Sequence, residues 1–186
     1  MTRIISGFAG SRTLATPGAG TRPTSDRIRE AIFSALDSRD IIEGARVLDL
    51  YAGSGALGLE AASRGASTVT LVDRLPAAAK VCRSNAAIVQ KGAPVGLTVQ
   101  VSAQAVLPFL LSSRDDWDLV FIDPPYDLPE GDLAATLSAL VDRLTPDAVI
   151  CLERSSRSPE PTIPPGLQLD RSKQYGDTTL WWLARS

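Results

Sequence analysis

Apolar and polar positions along this chain follow two periods that take turns. From Arg46 onward, short apolar runs alternate with segments whose apolar residues recur every three or four positions. Val47-Leu48-Asp49-Leu50-Tyr51, Thr68–Val72, Leu97–Val101, Asp118–Ile122 and Val149–Glu153 read as buried strands. Between them the spacing predicts helices over 56–63, 76–90, 104–111 and 132–144, with Pro76 in the first turn of the second. Strand and helix alternating at this interval imply βαβ units and a parallel sheet covered on both faces.

Both ends of the chain depart from that rhythm. Arg3-Ile4-Ile5 and Thr13-Leu14-Ala15 are short extended stretches around Gly7, Gly10 and Ser11, which predicts a small hairpin. Pro17-Gly18-Ala19-Gly20 reads as a loop. Thr24-Ser25-Asp26 then caps a helix over 26–36 that places Ile28, Ala31, Ile32, Ala35 and Leu36 on one face. After Glu153 the alternation stops. Ser155–Pro165 is a Ser/Pro-rich loop, and two closing strands over 167–174 and 178–183 are joined by the hairpin signal Gly176-Asp177. No internal repeat is visible.

Composition narrows the chemistry. A chain of 186 residues, 44% hydrophobic and 22% charged, is ordinary for a globular protein and fits one domain with a small appendage. No apolar run approaches the roughly 20 residues needed to cross a bilayer, and the opening residues lack the apolar centre of a secretion leader, so a cytoplasmic protein is expected. There is no histidine, hence no imidazole base and no histidine-held metal. Cys82 and Cys151 lie far apart in apolar settings and read as buried thiols rather than zinc ligands. The net charge is −2, yet residues 1–29 carry Arg3, Arg12, Arg22, Arg27 and Arg29 against Asp26 alone. A basic N-terminus on an acidic protein marks a candidate phosphate-facing surface.

Two motifs fall where strands end. Gly53-Ser54-Gly55-Ala56-Leu57-Gly58 follows the first buried strand and opens a helix, so the backbone can turn tightly and offer free N–H groups to a ligand. Asp73 closes the next strand, where its carboxylate can accept both hydroxyls of a ribose. A dinucleotide fingerprint has the same form. Asp49 counts against that reading, because a carboxylate beside the loop suits a ligand with a positive centre and opposes a pyrophosphate. S-adenosylmethionine, with its sulfonium and ammonium groups, fits better.

The second motif is Asp123-Pro124-Pro125-Tyr126, at the carboxyl end of the fourth buried strand. The Asp123 carboxylate and the Pro124 carbonyl can accept two hydrogen bonds from one planar amino group, with Tyr126 flat against the ring that carries it. Such acceptors favour a pyramidal nitrogen and stabilise the positive charge it gains in methyl transfer. No metal and no imidazole are required. Alone, the clamp suits adenine, guanine or a glutamine side chain.

Together with Val47–Ala61, which looks like the donor loop of class I S-adenosylmethionine-dependent methyltransferases, the block Arg22–Phe33 and the tetrapeptide 123–126 make the chain resemble the RsmD family. Those bacterial enzymes methylate N2 of one guanine in small-subunit ribosomal RNA. The opening Arg3-Ile4-Ile5-Ser6-Gly7 and the closing Tyr175-Gly176-Asp177-Thr178 extend the similarity over nearly the whole chain. The resemblance implies an α/β, Rossmann-like fold: a seven-stranded, mostly parallel sheet with helices on both faces and an antiparallel last strand. It implies an N-terminal hairpin and helix over 1–40, facing RNA, ahead of a methyltransferase domain over 41–186. Asp49, Tyr51, Ala52, Gly53, Ser54, Gly55, Asp73, Arg74 and Asp123 would surround the donor, with Ala103 or Gln104 at its adenine. Asp123, Pro124, Pro125 and Tyr126 would perform the reaction. Arg22, Thr24, Arg27 and Arg29 would face RNA, Arg3 and Arg12 would extend that surface, and Tyr126 would stack on the base. The substrate implied is 16S rRNA in the small ribosomal subunit, and the expected state is a monomer without metal. Adenine-N6 methylation of DNA, and a non-catalytic module that binds RNA or S-adenosylmethionine, are the competing readings.

Overall fold

A computed structural model describes residues 1–18 and 25–186 of the chain. The βαβ rhythm yields β3 (Arg46–Leu50), α2 (Ala56–Ser63), β4 (Thr68–Val72), α3 (Pro76–Gln90), β5 (Thr98–Ser102), α4 (Val106–Ser112), β6 (Trp117–Ile122), α5 (Glu130–Leu140) and β7 (Leu144–Ser155). They follow β1 (Thr2–Arg3), β2 (Thr13–Leu14) and α1 (Asp26–Asp37), and β8 (Leu167–Tyr175) and β9 (Thr178–Arg185) close the chain. The main sheet has seven strands in the order β5-β4-β3-β6-β7-β9-β8. Strands β3 to β7 are parallel, and β9 runs antiparallel to both of its neighbours. The order reverses between β3 and β6, which opens a crevice at their carboxyl ends, where ligands of doubly wound sheets bind.

Side chains alternate across the sheet, as strand geometry requires. Val47, Val69, Leu71, Leu119, Phe121, Val149 and Cys151 enter one core, under the N-terminal segment, α1, α2 and α3. Leu48, Leu50, Val72, Val120, Ile122, Ile150 and Leu152 enter the other, under α4 and α5. By the same alternation Asp49, Asp123 and Glu153 project on the first face.

Two elements differ from the periodicity. The helix predicted over 132–144 ends at Leu140, continues as a 3₁₀ turn over Val141–Arg143, and gives way to a 12-residue β7. Leu144 already pairs with Trp117 and sits in the second core, so sheet pairing overrides the helical pattern there. Strand β7 also runs on to Ser155, because antiparallel β9 pairs with it from Val149 to Ser155.

The N-terminal hairpin is two residues per strand and owes its position to tertiary contacts. Ile4, Ala9 and Leu14 are buried in the first core with the helix-α1 residues Ile28, Ile32, Phe33 and Leu36, so the hairpin and α1 share the core of the sheet. Phe33 packs on Phe121 with ring centroids 5.7 Å apart. The buried Glu60 carboxylate accepts the amides of Ile5 (2.7 Å) and Ser6 (3.0 Å) and also the Arg64 guanidinium. Ser63 Oγ accepts the Ala9 amide and donates to the Ser6 carbonyl. Helix α2, which opens at the glycine loop, therefore carries the N-terminal segment on its back. No helix among the described residues is long and apolar enough to cross a membrane.

Candidate active site

The glycine loop turns because the chain enters the left-handed region three times in five residues: Tyr51 at φ +61°, Gly53 at +58° and Gly55 at +76°. For Tyr51, with a side chain, that conformation costs on the order of 1–2 kcal/mol, the kind of strain that concentrates at ligand sites. Gly58 serves a different need. A Cβ there would lie 2.5 Å from Leu71 and 3.1 Å from the Asp49 Cβ, so only glycine lets α2 approach β3 and β4 this closely. Two carboxylates then brace the loop. Asp73 accepts the Gly53 amide on one oxygen and the Leu75 amide on the other, both at 2.9 Å. Asp49, 2% exposed, accepts the Gly58 amide at 2.9 Å. Burial pushes the Asp49 carboxyl well above the usual carboxylate range; the Gly58 amide opposes this, while the charges of Asp123 and Asp73 add to it. Beneath the loop, Cys82 Sγ donates to the Gly53 carbonyl, and burial, with Asp49 and Asp73 nearby, pushes that thiol up to about 12. Both cysteines are buried and free, as their settings suggested.

On the next strand, Leu50 pairs with Ile122, so Tyr51 and Asp123 leave the sheet side by side. Pro124 is buried and Tyr126 is 58% exposed at the mouth of the crevice. Burial raises the Tyr51 phenol, and the Thr136 side chain of α5 opposes that rise. One cavity of about 760 Å³ joins the two motifs, lined by Asp49, Tyr51, Ala52, Gly53, Ser54, Asp73, Arg74 and the whole Asp123–Tyr126 tetrapeptide. Cavities of this size accommodate drug-sized ligands. The residues present suit a cationic nucleoside donor: a buried carboxylate that an adjacent positive centre would hold ionised, and an acid at the position for a ribose. Ala103 and Gln104 stand exposed past β5 and do not line this cavity, whose wall on that side reaches Leu75. Gly55 sits behind the loop, buried against Leu71 and Leu59. No trio of His, Cys, Asp or Glu among the described residues is arranged to hold a metal ion.

The basic N-terminus divides once the chain is folded. Arg27 is exposed and lines the cavity, and Arg3 is exposed on the hairpin. Arg29, expected to face RNA, is instead fully buried, with its guanidinium donating to the Arg3 carbonyl and to Asp26, both at 2.8 Å. The reason is its helical phase: it follows Ile28 onto the inner face of α1. Arg12 is half-buried and lies along the surface, its Nη1 donating to the carbonyls of Ile88, Val89 and Lys91 at the end of α3. A cation there satisfies carbonyls that no helical amide can reach. Arg22 and Thr24 lie outside the described residues.

Several residues of the site carry no motif. Asn85 is fully buried on α3 and bridges two regions: its Oδ1 accepts the Ala15 amide, and its Nδ2 donates to the carbonyls of Ala15 and Ser54. The second hairpin strand is thus tied to the glycine loop. The β8–β9 turn, Tyr175 to Thr178, forms the far wall of the cavity. Glu153, at the end of β7, lines it as well. Its only sequence signal is an acid closing an otherwise apolar strand.

A family model described as "Conserved hypothetical protein 95" matches residues 2–184. Escherichia coli ribosomal RNA small subunit methyltransferase D is 36% identical over 177 residues, which are 94% of this chain and 85% of that protein. A solved structure of a hypothetical protein from Thermus thermophilus is 30% identical with a TM-score of 0.82, each chain covered in full. Synechocystis magnesium protoporphyrin IX methyltransferase with bound SAM shares the fold alone, at 16% identity and a TM-score of 0.66 over 90% of this chain and 87% of its own. With the family model spanning nearly its whole length and so close a curated relative, the chain belongs to the RsmD family, that of the small-subunit ribosomal RNA methyltransferases D.

Proposed function

We propose that this chain transfers a methyl group from S-adenosylmethionine to the exocyclic N2 of one guanine in 16S rRNA, in an assembling or assembled 30S particle, acting as a cytoplasmic monomer. The observation that carries this reading is the shared cavity, which sets Asp123-Pro124-Pro125-Tyr126 beside the buried Asp49 and the Asp73-braced loop. When bound, the sulfonium donor supplies an electrophilic methyl carbon. Asp49 and the Gly53-Ser54 backbone would hold it, with Gly55 shaping the turn from behind, and Asp73 would take the ribose hydroxyls.

The Asp123 carboxylate and the Pro124 carbonyl each accept one N–H of the target amine, and Tyr126 stacks on the base. With both N–H bonds engaged, the nitrogen lone pair is released from the ring and aims at the methyl. A nitrogen–carbon bond forms as the carbon–sulfur bond breaks, and the surplus proton leaves nitrogen for Asp123 or water. Positioning and electrostatic stabilisation supply the rate.

The RNA-facing side lies within residues 1–40, where Arg3 and Arg27 are exposed and Arg27 lines the cavity. Phosphate contacts of this kind make binding weaken with salt. Incubating the purified protein with labelled donor and 30S particles that lack the modification should place label on N2 of one guanine. Label elsewhere, or none, refutes the reading.

A further inference from the structure

The amine clamp uses the end of β6 and leaves the neighbouring end of β7 without a role. Strand β7 is buried from Ala148 to Arg154, and its acid, Glu153, is 8% exposed and lines the cavity. The two strands pair in parallel, Phe121 with Cys151 and Ile122 with Leu152. Asp123 and Glu153 therefore occupy the next rung together and project on the same face as Asp49. Strands in a sheet lie about 4.8 Å apart, so the two carboxylates are presented as neighbours along one edge. Across from Glu153, Leu180 of β9 is buried, and the Tyr175–Thr178 turn walls the cavity beyond.

Guanine presents two hydrogen-bond donors side by side along one edge. Its N2 amine adjoins N1–H, whereas the N6 amine of adenine adjoins a bare N1 lone pair. A second carboxylate, one strand from the amine acceptor, meets a hydrogen-bond donor in guanine and opposes a lone pair in adenine. We propose that Glu153 accepts the N1–H of the target base and so makes the site specific for guanine. This rests on the guanine-N2 reading above and assigns it a discriminating residue. A site built to hydrogen-bond a substrate group rejects an analogue that lacks it, because the buried partner is left unpaired.

The test uses 30S particles reconstituted around rRNA that carries the methylated position either as guanine or as 2-aminopurine, which keeps the exocyclic amine and lacks N1–H. For the wild-type protein, kcat/KM should favour guanine by about 10–100-fold. Glu153→Ala should lose about that factor on guanine and little on 2-aminopurine, so the preference collapses. Glu153→Gln, whose amide oxygen still accepts, should fall between the two. Comparing the preference across variants cancels the intrinsic reactivity of the two amines. Thermal unfolding and donor-binding calorimetry establish that each variant folds and holds the donor. If Glu153→Ala does not fold, the near-isosteric Glu153→Gln carries the comparison. A preference unchanged by the substitutions, or both substrates slowed equally, overturns the proposal. A wild-type protein that methylates no guanine N2 overturns instead the function on which it rests.

Discussion

The two ends of the sheet treat the same side chain in opposite ways. At the amino end of β6, Asp118 accepts the Arg46 amide (2.8 Å), two Arg46 guanidinium nitrogens (3.0 and 3.2 Å) and the Thr145 hydroxyl (3.0 Å). Partial burial pushes its carboxyl up, but the Arg46 bonds outweigh that and hold it below the usual range. At the carboxyl end Asp49 accepts one amide, is nearly sealed from water, and has Asp123 and Asp73 as charged neighbours. One edge satisfies its acid from within the protein. The other gathers acids around a cavity, an arrangement that costs stability and that suits a ligand with donors or positive charge.

The sharpest test of this contrast is Asp123→Ala, which should reduce kcat by about 10² or more while donor binding stays measurable, as expected for loss of a transition-state acceptor. Full activity would remove the clamp from the mechanism. Next in size is Asn85→Ala, which leaves the Ala15 amide and the Ser54 carbonyl without their buried partner. Denaturant titration should show a loss of about 2 kcal/mol.

Asp49→Asn should weaken donor binding by about 10-fold. Its pH dependence is more telling. A carboxyl raised in the fold binds its proton more tightly than in the unfolded chain. Its contribution to stability is therefore full at acid pH and is lost as pH rises through the raised value. A cationic donor prefers the ionised form, so affinity should climb with pH across that window, and calorimetry should find the climb absent in the variant.

The smallest effect belongs to the amino edge. Asp118→Asn should leave activity unchanged and cost under about 1 kcal/mol, as for a part-exposed pair. Its lowered carboxyl contributes above the usual carboxylate range, so the difference from wild type should vanish as pH falls through the folded value.

Much of the donor half was legible in the chain because it is local. A strand, a glycine turn and a helix start lie within some fifteen residues, and Asp73 ends the very next strand. The tetrapeptide 123–126 was legible for the same reason, since its two prolines mark a turn directly after an apolar strand. Glu153 was not, because a single acid closing a strand looks like any surface carboxylate until the partner of β7 is known. Arg12 and Arg29 misled in the opposite direction: their charge counts toward a basic segment whether they meet water, a helix end or a buried carbonyl.

The sequence by itself determined most of the elements, the alternation of faces within each strand, and the two motifs at strand ends, since all of these depend on residues close in the chain. Only the tertiary structure decided that β6 inserts beside β3, that Glu153 comes to lie next to Asp123, and which N-terminal arginines are left to meet a substrate. Those outcomes depend on contacts between residues tens of positions apart, and no local period records them.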